Sequence, residues 1–425
     1  MINRRLVTNY LLKESRRSTE KIMERELKVS AVKNKAISII GPRRAGKTYY
    51  LYKLRERFPN FLHADFENIA FKGIKAEEIY EVLGIYQEIF GKKPDVLFLD
   101  EVQKINGWSS LVRSLLDSEE YRIFITGSSS ELLSKEIATQ LRGRTLSYLL
   151  LPFSFREFLR AKGYEVKKYL TIDEEAKMKR GLKIFLEYGG YPEVVLRKEK
   201  ERILREYYST ILYNDFVERF QLKNIELAKS IFEFCFQNFS KEFSVRRFVD
   251  FFKERGRAGK NTIYDYVGKL PETVSVFFLE KFSKSIYERK TWPKKIYVCD
   301  PGLSKVLEFS EDLGKKMENT VFLELLRSRN DNPLRTVYFL KLKERGEVDF
   351  VVKDGLKIRQ LIQVTYAAGR DEVEPREIRS LLKAAELFKK DRPELSVITW
   401  DHEAEEEVKG KKVKFVPLWK WLLGR

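Results

Sequence analysis

The run Gly41-Pro42-Arg43-Arg44-Ala45-Gly46-Lys47-Thr48 limits this chain more than any other part of its sequence. It fits G-x-x-x-x-G-K-[ST], and it stands between a short β-branched apolar stretch, Ala36-Ile37-Ser38-Ile39-Ile40, and a helical pattern over residues 49–58. Strand, glycine loop and helix in that order predict a phosphate cradle. Glycines let main-chain N–H groups curl around phosphate oxygens, and the helix that begins near Lys47 turns its positive end toward them. The Lys47 ammonium adds a point charge, and the Thr48 hydroxyl is of the kind that ligates Mg²⁺. Gly41, Pro42, Arg43, Arg44, Ala45, Gly46, Lys47, Thr48 and Tyr49 are therefore the expected nucleotide-binding residues. The bland alternative is a glycine turn beside a surface lysine.

A second motif weighs against that alternative. Val96-Leu97-Phe98-Leu99 reads as a buried strand and ends in Asp100-Glu101, about 50 residues beyond the glycine loop. Asp100 would support Mg²⁺, and Glu101 would orient or deprotonate a water attacking a phosphoryl group. Strands are also expected at 61–66 and 121–126, with helices at 76–90 and 109–118, an alternation that predicts a parallel sheet in an α/β domain. The strand at 121–126 closes in Thr126-Gly127-Ser128-Ser129-Ser130, where Ser128 can contact a γ-phosphate or equally cap a helix at 131–133. Arg142 and Arg144 are candidates for phosphate contact in cis or as arginine fingers to a neighbouring subunit. Solvation, or pairing with acids, is the equal alternative for both.

At 425 residues the chain has room for two to four domains. Residues 1–155 read as the nucleotide-binding core, entered through a basic lead-in with a helix at 21–27; 156–220 read as a helical lid. Residues 221–300 hold three short amphipathic helices followed by two strands, the order of a winged helix, and 301–425 form a last α/β segment. Two cysteines and two histidines exclude a disulfide framework and a thiolate or histidine metal site, so any metal must take oxygen ligands. No apolar run approaches a membrane span and the charged start does not resemble a secretory signal, so the expected location is the cytoplasm and no membrane partner is expected. A net charge of +19, with fourteen Lys+Arg against seven Asp+Glu in residues 241–295, suits a phosphate backbone such as double-stranded or branched DNA. A solvated basic face explains the same count.

GPRRAGKT, LDEVQ (99–103), TGSSS (126–130), LRGRT (141–145), LPFSFREFL (151–159), GGYPE (189–193), KKIYVCDPGL (294–303), MENTVFLEL (317–325) and GEVDFVV (346–352) resemble the archaeal and bacterial AAA-type ATPases that carry a DUF4143 C-terminal region. The resemblance covers nearly the whole chain. It implies an α/β fold of the P-loop NTPase, AAA-like type with a parallel-sheet core, a helical lid, a winged-helix domain and a restriction-endonuclease-like, PD-(D/E)xK-like C-terminal domain. Nucleases of that type need a helix Glu, then an Asp, then Glu-x-Lys. Here Glu318 or Glu324 would supply the first and Asp349 the second, but the third position holds Gln363-Val364-Thr365. That change loses an anionic ligand and the cation together, so the expectation is a degenerate nuclease-like site.

The expected function is Mg²⁺-dependent ATP binding (ATP or ADP as ligand) and hydrolysis that controls the appended domains in a DNA-associated role, with a homo-oligomer among the expected states. An ATP-timed assembly switch without nucleic acid is the first alternative, and an ATP-regulated nuclease the second.

Overall fold

The computed structural model describes residues 2–127, 141, 143–167, 169–253, 259–308, 311–342 and 346–424. The chain divides into two compact units, residues 1–151 with 272–274, and residues 152–271 with 275–425. No helix among the described residues is long and apolar enough to cross a membrane.

The first unit is built on a five-stranded sheet. Its strands are β1 (Ala36–Ile40), β2 (Phe61–Asp65), β3 (Val96–Asp100), β4 (Arg122–Gly127) and β5 (Thr145–Leu149), in the order β2-β3-β4-β1-β5. Every pairing is parallel. Such a sheet is covered on both faces, and the strands show it. Leu97, Leu99, Ile123 and Ile125 pack against the helices Arg4–Ser15, Ile79–Phe90 and Trp108–Asp117. Their strand neighbours Val96, Phe98 and Phe124 turn the other way, toward Tyr50, Leu51 and Leu54 of the helix Lys47–Leu54. Each such buried side chain contributes about 1.5–3 kcal/mol, which is why strands this short hold.

The expected strands and helices of this unit are present with ends shifted by a few residues, and β5 is an addition. The lead-in differs. Its helix is Arg4–Ser15, and residues 21–27 are not helical. Tertiary contacts override the helical spacing there. The Arg25 guanidinium donates to the carbonyls of Ala45 (2.9 Å) and Leu151 (2.6 Å), and the Leu27 carbonyl accepts from the Tyr50 hydroxyl at 3.0 Å. Within a helix the Leu27 carbonyl would face its own N–H ladder instead.

The second unit begins with the helices Phe155–Ala161, Ile172–Tyr188, Pro192–Leu196 and Lys200–Thr210. Three more, Ile225–Gln237, Val245–Lys253 and Lys260–Lys269, accompany a three-stranded antiparallel sheet, β6 (Glu242–Phe243), β8 (Lys294–Val298) and β7 (Val276–Leu279) in that order. A six-stranded sheet follows: β9 (Arg335–Lys341), β10 (Glu347–Asp354), β11 (Lys357–Val364), β12 (Glu394–Thr399), β13 (Ala404–Val408) and β14 (Lys411–Pro417), ordered β13-β14-β12-β11-β10-β9. The helix Pro375–Leu387 covers one face with Ile378, Leu381, Ala384 and Ala385. Just past β7, the Phe282 N–H donates to the Phe339 carbonyl, and the Phe339 N–H to the Glu280 carbonyl, so the small sheet runs on into the edge of the large one.

Several sequence hallmarks of this unit meet at one junction. The Asp300 carboxylate accepts from the N–H groups of Gly190 (2.6 Å) and Gly302 (2.9 Å). A Cβ on Gly302 would lie 2.1 Å from the Tyr188 carbonyl oxygen, so only glycine allows this approach. The Arg327 guanidinium donates to the carbonyls of Pro152 (2.9 Å) and Phe153 (3.3 Å), and the Phe153 N–H to Gly190. These motifs carry architecture.

Candidate functional site

The glycine loop starts where β1 ends. A Cβ on Gly41 would stand 2.0 Å from the Leu150 carbonyl oxygen, so this position also requires glycine. The chain turns through left-handed backbone at Arg44 (φ +66°) and Gly46 (φ +94°) before the helix Lys47–Leu54. Gly46 is the residue preceding that helix, and among the described residues no side-chain cap bonds its first N–H groups, which suits an anion at this end. Lys47 is buried with its ammonium donating to the carbonyls of Gly41 (3.1 Å) and Pro42 (3.2 Å). The Ala45 carbonyl is clipped by Arg25. Arg43 pairs with Glu67 at 3.8 Å, and Tyr49 stands exposed.

The neighbouring strand ends complete the site. Asp100 closes β3 and is 1% exposed. One of its oxygens accepts from the Thr126 hydroxyl; the other, Oδ2, is buried with no hydrogen-bond partner among the described residues. Burial pushes the Asp100 carboxyl up to about 6, against the opposing influence of the nearby Thr126 and Thr48 hydroxyls. Thr126 serves twice, because its hydroxyl also accepts from the Glu101 N–H at 3.0 Å. Glu101 follows in left-handed backbone (φ +53°), and the Gln103 amide donates to its carboxylate at 2.5 Å. Asp65 lies opposite Asp100 in the register of β2 and β3, and burial raises its carboxyl.

An orphaned carboxylate oxygen that shares a hydroxyl neighbour with a buried lysine loop fits a hydrated divalent cation carried by a nucleotide. Lys47 and Thr48 thus lie beyond the end of β1, and Asp100 and Glu101 at the end of β3. Ser128 and Arg142 lie outside the described residues. Arg144 is not brought to the loop: its carbonyl accepts from the Ala36 N–H at the start of β1, the opposite end from Gly41, and its side chain pairs with Asp117. Three contributors escaped the sequence. Thr126 was visible only as part of a hydroxyl-rich strand end, Asp65 only as one charge at the end of a strand, and Arg25 gave no signal within a helix-like spacing.

A second charge cluster lies in the second unit. The Lys295 ammonium, on β8, is bonded to Glu318 (3.0 Å), Glu347 (2.5 Å) and Asp349 (2.9 Å). The Tyr297 hydroxyl donates to Glu318 at 2.6 Å, and the Val364 N–H to Asp349 at 2.9 Å. Of the two helix acids, Glu318 enters the cluster; Glu324 instead pairs with Arg156 and with Arg327. Gln363 is buried with its Oε1 unpaired among the described residues, and the Thr365 hydroxyl bonds Glu377. Burial, reinforced by the charge of Asp349, pushes Glu377 up to about 7. Lys295, Tyr297, Glu347 and Glu377 were not anticipated. A divalent ion, which a nuclease-like fold implies, does not fit here: an ammonium fills the point where the three carboxylates converge.

Comparison with known proteins adds the following. Residues 33–159 match the model of an AAA domain, 179–313 that of the domain of unknown function DUF8612, and 313–421 that of the domain of unknown function DUF4143. The uncharacterized protein MJ1544 of Methanocaldococcus jannaschii is 37% identical over 417 residues, which cover 95% of this chain and 91% of that protein. An uncharacterized protein of Haemophilus influenzae is 28% identical over 397 residues, covering 90% and 93%. Among solved structures, the Walker-type ATPase PABY2304 of Pyrococcus abyssi is 14% identical with a TM-score of 0.38, covering 72% of this chain and 96% of its own.

Proposed function

We propose the following for this chain, which belongs to the family of AAA-domain proteins carrying a C-terminal DUF4143 region: it binds ATP with Mg²⁺ and hydrolyses it, and the nucleotide state governs the parts that follow. The observation that carries the reading is the buried Asp100 carboxyl, pushed up to about 6 with one oxygen unpaired among the described residues, in a site that also holds the Lys47 loop, Thr48, Glu101 and Thr126. Lys47 and the first N–H groups of its helix hold the phosphates. Thr48 and Asp100 would hold the metal ion, which when bound neutralises phosphate charge. Glu101 orients the attacking water and takes up its proton, and the Gln103 amide fixes that carboxylate. Thr126 aligns Asp100 and Glu101 together through one hydroxyl.

ATP turnover tests this. Glu101→Gln should retain ATP in calorimetry while turnover falls about 100-fold or more. Folded protein that takes up no ATP overturns the reading.

For the partner, the reading is DNA, with residues 221–300 as a winged helix. Its support is the excess of Lys and Arg in 241–295, with Arg246, Lys260, Lys284 and Lys290 exposed, and the three helices beside a three-stranded sheet. Arg246→Glu, Lys260→Glu and Lys284→Glu together should weaken binding uniformly and lower its salt dependence by about one unit of slope per lost phosphate contact. Absence of binding at low salt favours the assembly switch instead.

A further inference from the structure

Three carboxylates from two elements, Glu318 on the helix Leu313–Arg327 and Glu347 and Asp349 on β10, converge on one point. Convergence of that kind is expensive. Each buried carboxylate costs several kcal/mol unless a cation compensates it, and the usual compensation in a carboxylate cluster is a divalent metal. Here the point is filled by Lys295 Nζ, whose side chain is 4% exposed. An ammonium has three N–H donors, and the three carboxylates supply three acceptors. Further contacts hold the acids. Tyr297, from the same strand as the lysine, donates to the same Glu318 oxygen that the ammonium bonds; the Val364 N–H takes the second oxygen of Asp349; Lys341 reaches the second oxygen of Glu347 at 2.5 Å. Burial alone would favour the neutral amine, but Asp349, Glu318 and Glu347 hold Lys295 well above its ordinary value, so the charge stays in place.

We infer that this cluster is a closed, metal-independent centre in which the Lys295 ammonium stands where a divalent cation would sit, pinning β8 of the small sheet to β10 and to the helix Leu313–Arg327. The C-terminal sheet needs no metal, and its acids are spent on internal attachment. The loss of the Glu-x-Lys pair at Gln363-Val364-Thr365 is matched by a lysine delivered from a strand some 70 positions earlier, aimed into the acids.

The test is Mn²⁺ binding to the nucleotide-free, full-length protein, read by electron paramagnetic resonance. Wild type should show no saturable site that Asp349→Asn removes. Lys295→Ala should gain one Mn²⁺ per chain, lost again in Lys295→Ala/Asp349→Asn, and its melting temperature should rise with Mn²⁺ while that of wild type does not move. A wild-type site abolished by Asp349→Asn overturns the inference, as does a folded Lys295→Ala protein that takes up no Mn²⁺. If Lys295→Ala does not fold, the wild-type arm decides alone: a Mn²⁺ site sensitive to Asp349→Asn sinks the idea, and its absence together with a melting temperature indifferent to EDTA supports it. A site at Asp100 is separable, because Asp349→Asn leaves it intact.

Discussion

Asp100 and Asp349 are both buried aspartates on β-strands, 1% and 5% exposed, yet their oxygens are used in opposite ways. Asp349 has both engaged, one by Lys295 and one by the Val364 N–H. Asp100 has one engaged by the Thr126 hydroxyl and one without a partner among the described residues. A buried carboxylate with both oxygens answered holds a fold together; one with an oxygen unanswered, at the foot of a glycine loop, is, on the proposed reading, kept for a cation that arrives with its ligand. Burial depth alone does not tell the two apart.

The comparison breaks most easily at Lys295. Lys295→Met removes the cation and leaves three buried carboxylates facing one another, so the second unit should lose about 3–5 kcal/mol in urea unfolding, with ATP affinity unchanged. A fully stable variant would mean the cluster is not held by charge. The two aspartates can next be set against each other directly. Asp349→Asn should cost about 1–3 kcal/mol of stability and leave turnover alone. Asp100→Asn should cost no stability in nucleotide-free protein, since it relieves a buried acid, while turnover falls about 100-fold. Matching responses would erase the distinction.

Acid extends the contrast from residues to units. Burial pushes His63 in the first unit down to about 3, between the rings of Tyr52 and Phe98 and with neither nitrogen paired among the described residues. The unfolded chain therefore binds a proton that the folded one refuses. Relative to His63→Phe, wild type should lose about 1.4 kcal/mol for each pH unit below about 6.5, down to about 3. Glu377 in the second unit has the opposite sign. Its carboxyl is raised to about 7, so its contribution is present at low pH and lost as pH climbs through that value, and Glu377→Gln should gain on wild type at pH 8 compared with pH 4. The smallest effect is expected from Thr126→Val. It removes a hydroxyl from Asp100 and Glu101 together, and turnover should fall about tenfold, a barrier change of about 1.4 kcal/mol.

Local signals made the first unit readable. Period, strand length and glycine spacing agree around residues 36–58, and Leu99-Asp100-Glu101 needs no distant partner to be noticed. What escaped depends on groups far apart in sequence. Arg25 sits in a stretch whose spacing is helical, and only the carbonyls of Ala45 and Leu151 decide otherwise. Lys295 counted as one more cation of a basic segment, because nothing near it announces residues 318, 347 and 349. The strands β13 and β14 were unread because their charges look like a loop. Glu405 faces Lys414 and Glu407 faces Lys412 across the pair, so the charged side is the solvent side of a hairpin whose other side buries Val413 and Phe415. The departure from Glu-x-Lys at Gln363-Val364-Thr365 was legible in the sequence, but the Lys295 ammonium among Glu318, Glu347 and Asp349 was not.

The Arg25 guanidinium ties two stretches of chain into a single knot at the phosphate loop, one carbonyl inside the loop and one where the first unit closes. Whatever tugs on residues 16–35, whether a proteolytic nick, a fused tag or a protein that captures that strap, therefore pulls on the main chain of the cradle itself. On the proposed reading of the loop, this strap is a handle on nucleotide exchange, and a tag placed there for purification would alter the quantity it was meant to help measure.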